Sequence, residues 1–216
     1  MTTTTLNPSD ESANVTLSNG NLTATFGSAS DGAVRSTTSK TSGKWYVEFT
    51  PGGTFSGADD GLGIALAAAS LTTIGTTAAN AAVVFAGANP SVWFNGAFTG
   101  TNLSPTGLGT LVGMALDLDN KKLWLINYST GNAWNGNNTT NIPSTNTGGV
   151  DISALFPGAG AFVAVSADQS GASATVNFGA TSFVHAAPSG FSAWDVPVGK
   201  MSVVYNVGMN VLLDQS

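Results

Sequence analysis

The 216-residue chain contains no cysteine. That removes a disulfide framework, a thiolate nucleophile and any cysteine-based metal site, while leaving the redox compartment open. Charge is nearly as scarce: Asp, Glu, Lys and Arg together make up 8% of the residues, against about 25% in an ordinary globular domain. Six residues are basic and twelve acidic, for a net charge of −6, and no basic run occurs. Neutralising a phosphate backbone or docking on anionic lipid takes several clustered cations, so both partners are excluded. The one histidine, His185, and the lack of any motif presenting a serine leave few convergent groups for catalysis. The most apolar stretch, Leu62–Leu71, falls far short of the ~20 residues that span a bilayer. Met1 and the threonines that follow it lack the charged and apolar regions of a secretory signal, so no signal peptide and no membrane insertion are expected.

What the chain does have is apolar residues, at 42%, with a polar complement drawn from Thr, Ser, Asn and Gly. Threonine favours strands and Asn/Gly favour turns, whereas this palette serves helices poorly. The clearest local unit is Leu111–Asn127. Val112, Met114, Leu116 and Leu118 alternate with Gly113, Ala115 and Asp117, the period of a strand with one large apolar face. Asp119–Lys121 supplies a turn, and Lys122–Asn127 resumes with Leu123 and Leu125 opposite Trp124 and Ile126. Such a hairpin needs a larger sheet to receive it. Around it, Val15–Leu17 and Leu22–Phe26 flank an Asn19–Gly20 turn, and Trp45–Phe49, Leu62–Leu66, Ala82–Ala86, Ser91–Phe94, Ala161–Val165 and Ala172–Phe178 read as further strands. Residues 27–43 are a Ser/Gly/Thr-rich stretch that includes Val34 and Arg35, 99–109 read as a loop, and 127–149 form the longest polar segment. Short strands at this spacing without intervening helices predict an all-β, two-sheet antiparallel sandwich. The expected organisation is an N-terminal leader over residues 1–13, a sandwich over 14–193 and a C-terminal extension over 194–216. In the extension Val203, Tyr205, Val207, Met209 and Val211 alternate as an assembly strand that needs a partner.

The order of motifs resembles the SPRY family, a sandwich related in shape to the concanavalin A-like lectins. The residues that carry the resemblance are LSNGNLTAT at 17–25, SGKWYVEF at 42–49, GLGIA at 61–65 and VGMALDLDNKKLWL at 112–125, followed by AWNG at 133–136, ATVNFG at 174–179, Phe183 and PSGF at 188–191. The opening LNPSDESANVTLSNGNLTAT and the AWNG, VNFG and PSGF series look like SPRY domains of bacteriophage structural proteins. The chain departs from the family at Lys121, where a glycine often takes a positive φ, and at Ser91–Phe94, which stands in for a glycine- and tryptophan-containing stretch. The resemblance implies a protein-interaction domain on a virion, as a capsid decoration, fibre or tail component assembled with other virion proteins. The scarcity of charge and the alternating apolar tail predict a homo-oligomer.

No catalytic residue, cofactor or metal is assigned. Oxygen ligands at Asp59, Asp60, Asp117, Asp119 or Asn120 would suit calcium, but they follow no fixed spacing. A glycosidase would need a flanking carboxylate pair, for which Asp117 and Glu48 are the nearest candidates. The candidate binding residues are Trp93, Phe94, Tyr128, Trp134 and Asn135, which lie in or beside Asn/Gly-rich loops. There an amphipathic ring either stacks on a host-surface glycan or protein or pins its loop to the sandwich.

Overall fold

The structure is a computed structural model that describes residues 3–103, 108, 110–129 and 132–195. The strands are, in chain order, β1 Leu6–Glu11, β2 Val15–Ser18, β3 Thr23–Phe26, β4 Gly32–Lys40, β5 Lys44–Gly53, β6 Gly61–Ala65, β7 Ala81–Phe85 and β8 Ser91–Phe94. They continue with β9 Ala97–Asn102, β10 Val112–Asp117, β11 Lys122–Asn127, β12 Val150–Asp151, β13 Ala161–Ala167, β14 Ala172–Asn177 and β15 Ser192–Ala193. A single helical turn, α1 Ile74–Thr77, interrupts them. One sheet runs β1-β4-β13-β6-β7-β8-β9; the other runs β12-β11-β10-β5-β14-β3-β2, with β15 added in parallel to β5. Every other pairing is antiparallel, as expected of a sandwich.

Alternation sets which side chains meet between the sheets. Val47, Phe49, Val112, Met114, Leu116, Leu123 and Leu125 of one sheet meet Leu62, Ile64, Val84, Val92, Val163 and Val165 of the other in one buried core. The central hairpin pairs from Val112↔Asn127 to Asp117↔Lys122, and β10 pairs on its other side with β5, from Val112↔Phe49 to Asp117↔Lys44. Its turn is organised by Asp117, whose Oδ1 accepts the backbone N–H groups of Asp119 and Asn120 at 3.0 and 2.8 Å. Lys121 sits at φ +58°. The left-handed geometry is therefore kept without the glycine, at a cost of roughly 1 kcal/mol. The other expected hairpin also forms, through a left-handed run at Asn19, Gly20 and Asn21.

Three expectations are corrected, and one unassigned stretch is filled. The leader is not free: Leu6–Glu11 is β1, with Leu6 fully buried. The stretch 27–43 holds β4, the second strand of its sheet, and 99–109 begins inside β9. The sandwich also reaches past residue 193, because Trp194 is buried and both Asp195 carboxylate oxygens accept hydrogen bonds from Thr4, at 2.6 Å each. β1 and β4 escape a hydrophobic reading because Leu6 is the one buried apolar residue of β1 and the buried Arg35 and Ser36 interrupt the apolar pattern of β4. Arg35 of β4 is buried against Asp10 of β1 by two bonds of 2.8 and 2.7 Å. The proposed assembly strand, Val203 to Val211, lies outside the described residues.

Candidate functional site

Each sheet has a second face, turned away from the core, and each is covered differently. On the seven-stranded sheet the cover is residues 66–80, with Ile74 and Ala78 buried against Val83, Phe85 and Ala164. Arg35 clasps it by donating to the carbonyls of Leu66 and Ala69 at 3.0 and 2.6 Å.

On the eight-stranded sheet the outward residues are Tyr46 and Glu48 of β5, Gly113 and Ala115 of β10, and Trp124 and Ile126 of β11. After β14 the chain leaves the sheet plane, crosses this face as a strap through Phe183–Phe191, and returns as β15, where Ser192 pairs with Trp45 and Ala193 with Tyr46. Glu48 pins the strap. It is 2% exposed, its Oε2 accepts the N–H of Val184 at 2.8 Å, and its Oε1 accepts the N–H of His185 at 2.8 Å. The Tyr46 hydroxyl donates to the same Oε1 at 3.2 Å and lies 3.0 Å from the Tyr128 hydroxyl. Burial first, then the neighbouring Tyr128 and Glu48, push the Tyr46 hydroxyl well above its ordinary pKa. Burial likewise raises Tyr128, so both stay protonated donors. Gly113 makes room for this pair, since a Cβ there would lie 2.8 Å from the Tyr46 hydroxyl and from Tyr128 Cε2. Phe183 meets Tyr46 edge-on at 4.8 Å, Phe191 meets Trp124 edge-on at 6.2 Å, and the His185 ring lies flat on Tyr128 at 3.7 Å and 4°.

The polar loop after β11 forms the opposite wall. Asn135, buried at φ +46°, turns its amide onto β11 beyond the two-residue pairing with β12: Oδ1 accepts the N–H of Leu125 at 2.8 Å and Nδ2 donates to the Leu123 carbonyl at 3.2 Å. Asn137, Asn138 and Asn141 fix the loop through short bonds to its own backbone. This is why so polar a stretch holds a defined shape. Between loop and strap lies an open cleft of about 550 Å³, floored by Ile126 and Tyr128 and walled by Trp134, Pro143, His185 and Pro188.

The five candidate binding residues do not form one site. Tyr128 and Trp134 line this cleft. Phe94 and Asn135 line a second, smaller one of about 310 Å³ with Thr99, Thr101 and Asp151. Trp93 lies on the outer face of the other sheet between Phe85 and Phe98, at 6.0 and 6.1 Å, its indole N–H donating to Ser91 Oγ at 3.0 Å. Trp93 and Phe94 are neighbours on a strand and so face opposite sides, a separation the period-2 pattern already contains. The cleft residues that loop reading missed are His185 and the strap around it; the PSGF motif adjoining them marks the place.

The acidic candidates are also dispersed. Asp117 is fully buried and spends its oxygens on the turn, on Asn120 Nδ2 at 2.8 Å and on the Lys44 ammonium at 3.0 Å. Burial opposes its ionisation, but the Asn120 bonds and Lys44 outweigh it and hold its carboxyl below the ordinary range. Asp60, at the other sheet, accepts the N–H groups of Ser56, Gly57 and Asp168, and burial pushes it upward. Among the described residues no group of three or more acidic or histidine side chains is placed to hold a metal. Neither Asp117 nor Glu48 lines either cleft.

No protein-family model matches the chain, and no curated protein matches it in sequence. Solved structures do match in shape. The PSpry domain of TRIM65 aligns with TM-score 0.58 at 18% identity, over 81% of this chain and 91% of that one. The SPRY domain of human HERC1 aligns with TM-score 0.58 at 16% identity, over 79% and 96%. A further human SPRY domain aligns with TM-score 0.51 at 11% identity, over 76% and 94%. At these identities the likeness is one of fold, and the fold is that of a SPRY domain.

Proposed function

We propose that the chain is a non-catalytic SPRY-type interaction module of a bacteriophage particle, serving as a decoration, fibre or tail component. The cleft between the strap and the 132–144 loop is its contact surface. The observation that carries the proposal is the build of that cleft: the stacked rings of Tyr128 and His185 and the ring of Trp134 line an open cleft over the sheet. The phage assignment rests on the motif series from AWNG to PSGF. In this reading Val203, Tyr205, Val207, Met209 and Val211 join the module to neighbouring virion subunits, and the cleft faces outward to a host-surface glycan or protein.

One experiment tests both ends. Phage are assembled with the intact chain, with a chain ending after Asp195, and with Ala186→Trp, which blocks the cleft from an exposed position. Mass spectrometry of purified particles should find the intact and Ala186→Trp chains and miss the truncated one. Adsorption to host cells should fall only for Ala186→Trp among incorporated chains. Absence of the intact chain from particles rejects the virion role, and full adsorption by Ala186→Trp rejects the cleft.

A further inference from the structure

We infer that the cleft takes an uncharged saccharide, an inference that rests on the cleft being the module's contact surface. Its lining contains no Asp, Glu, Lys or Arg. A sulfated, sialylated or phosphorylated ligand would find no counter-ion there, and neither would a basic or acidic peptide motif. Strand addition to the outer side of β11 is blocked as well, since β12 pairs there with Lys122 and Leu123, and Asn135 occupies the Leu125 N–H and the Leu123 carbonyl. An uncharged proline-rich segment, which aromatic grooves also take, is the competing occupant that the test includes.

What the cleft offers is polar without charge. The Trp134 indole N–H, the Asn132 amide and the hydroxyls of Ser144 and Ser189 border it and make no side-chain hydrogen bond to another described residue. They surround an apolar platform in which Trp134 stands across from the flat Tyr128–His185 stack. A neutral pyranose matches both properties, with apolar C–H faces for the rings and a rim of hydroxyls for unspent donors and acceptors. The volume, about 550 Å³, falls within the ~300–1,000 Å³ usual for small-ligand sites. The platform is preorganised, because Glu48 fixes the strap and Asn135 fixes the loop.

The test titrates the full chain, by ligand-observed NMR, with neutral gluco-, galacto- and manno-oligosaccharides and their N-acetyl forms. Sulfated and sialylated oligosaccharides and an uncharged proline-containing peptide are run alongside. The expected result is saturable binding of at least one neutral oligosaccharide, insensitive to salt. It should weaken roughly tenfold or more in Trp134→Ala and in Ala186→Trp and remain unchanged in Trp93→Ala. Binding confined to the charged sugars or to the peptide overturns the inference, as does undiminished binding by Ala186→Trp or no neutral sugar bound at all. If no neutral sugar binds while Ala186→Trp still lowers adsorption, the saccharide falls and the contact surface stands. If adsorption is also unchanged, both fall.

Discussion

The two outer faces of the sandwich solve one problem with opposite charges. A sheet buried on its inner side must still cover the apolar residues on its outer side, and a covering segment brings backbone groups that need partners. On the seven-stranded sheet a cation does this, with Arg35 donating to the Leu66 and Ala69 carbonyls. On the eight-stranded sheet an anion does it, with Glu48 accepting from Val184 and His185. The first cover is small and rich in alanine and settles flush on the sheet. The second carries the rings of Phe183, His185 and Phe191 with Pro188, rises over Tyr128 and leaves a cleft. Covering the sheet and creating a site are therefore separable, and the difference lies in what the cover is made of.

The largest expected effect comes from Arg35→Ala. It breaks a largely buried ion pair with Asp10 and leaves the Ala69 carbonyl without its donor and the Leu66 carbonyl with only the Ala69 N–H, a loss of about 4 kcal/mol in chemical denaturation. Because Arg35 serves only the seven-stranded face, the variant should keep cleft binding while it remains folded. Lost binding in folded protein would show that the two faces are coupled.

Glu48→Ala comes next. It removes the acceptor of three hydrogen bonds, two of them to strap backbone, and should cost about 3 kcal/mol. Here the stability loss and the functional loss coincide: the His185 ring is released from Tyr128, and hydrogen exchange at Val184 and His185 should rise well above the rest of the sheet. Protection unchanged at those two amides would mean that ring packing alone holds the strap.

These anchors also explain what could be read from the chain. The β10–β11 hairpin announces itself because each apolar residue sits where period 2 requires, and its observed register follows that pattern. Tyr128 and Trp134 were visible as aromatics in a polar loop. Their partner His185 was not, because nothing local in the sequence says that a segment beyond β14 folds back over β11. β1 and β4 stayed hidden for a related reason. Beside the buried Leu6, Ala33 and Val34 they carry Arg35 and Ser36, whose burial is made tolerable by partners distant in sequence, such as the Val163 N–H that donates to Ser36 Oγ at 3.0 Å. Asn135 is a binding candidate by its Asn/Gly-rich setting, and in the fold its amide also extends the pairing of β11 beyond β12. Motif position alone does not separate these roles.

The smallest effect contrasts the acids of the two faces. Asp59 lies beside α1, and burial, then Asp168, Asp31 and Asp60, raise its pKa above the ordinary 3.8. Its folded form binds a proton more readily than its unfolded form, so its contribution declines as pH rises through the folded value and is a net cost at neutral pH. Asp59→Asn should therefore stabilise the protein by a few tenths of a kcal/mol at pH 7, given the solvent screening of a partly exposed group. The gain should vanish once the pH falls below about 3.8, where the wild-type carboxyl is protonated in both states. Asp117, on the other face, must behave in reverse. Its folded value is depressed by Asn120 and Lys44, so its stabilisation is present above the unfolded value and is lost as pH falls through the folded one. Denaturation midpoints of Asp59→Asn and Asp117→Asn from pH 7 down to 3 should then converge on the wild type from opposite sides. Convergence from the same side would mean that Asp59 itself, like Asp10 beside Arg35, has a cation partner.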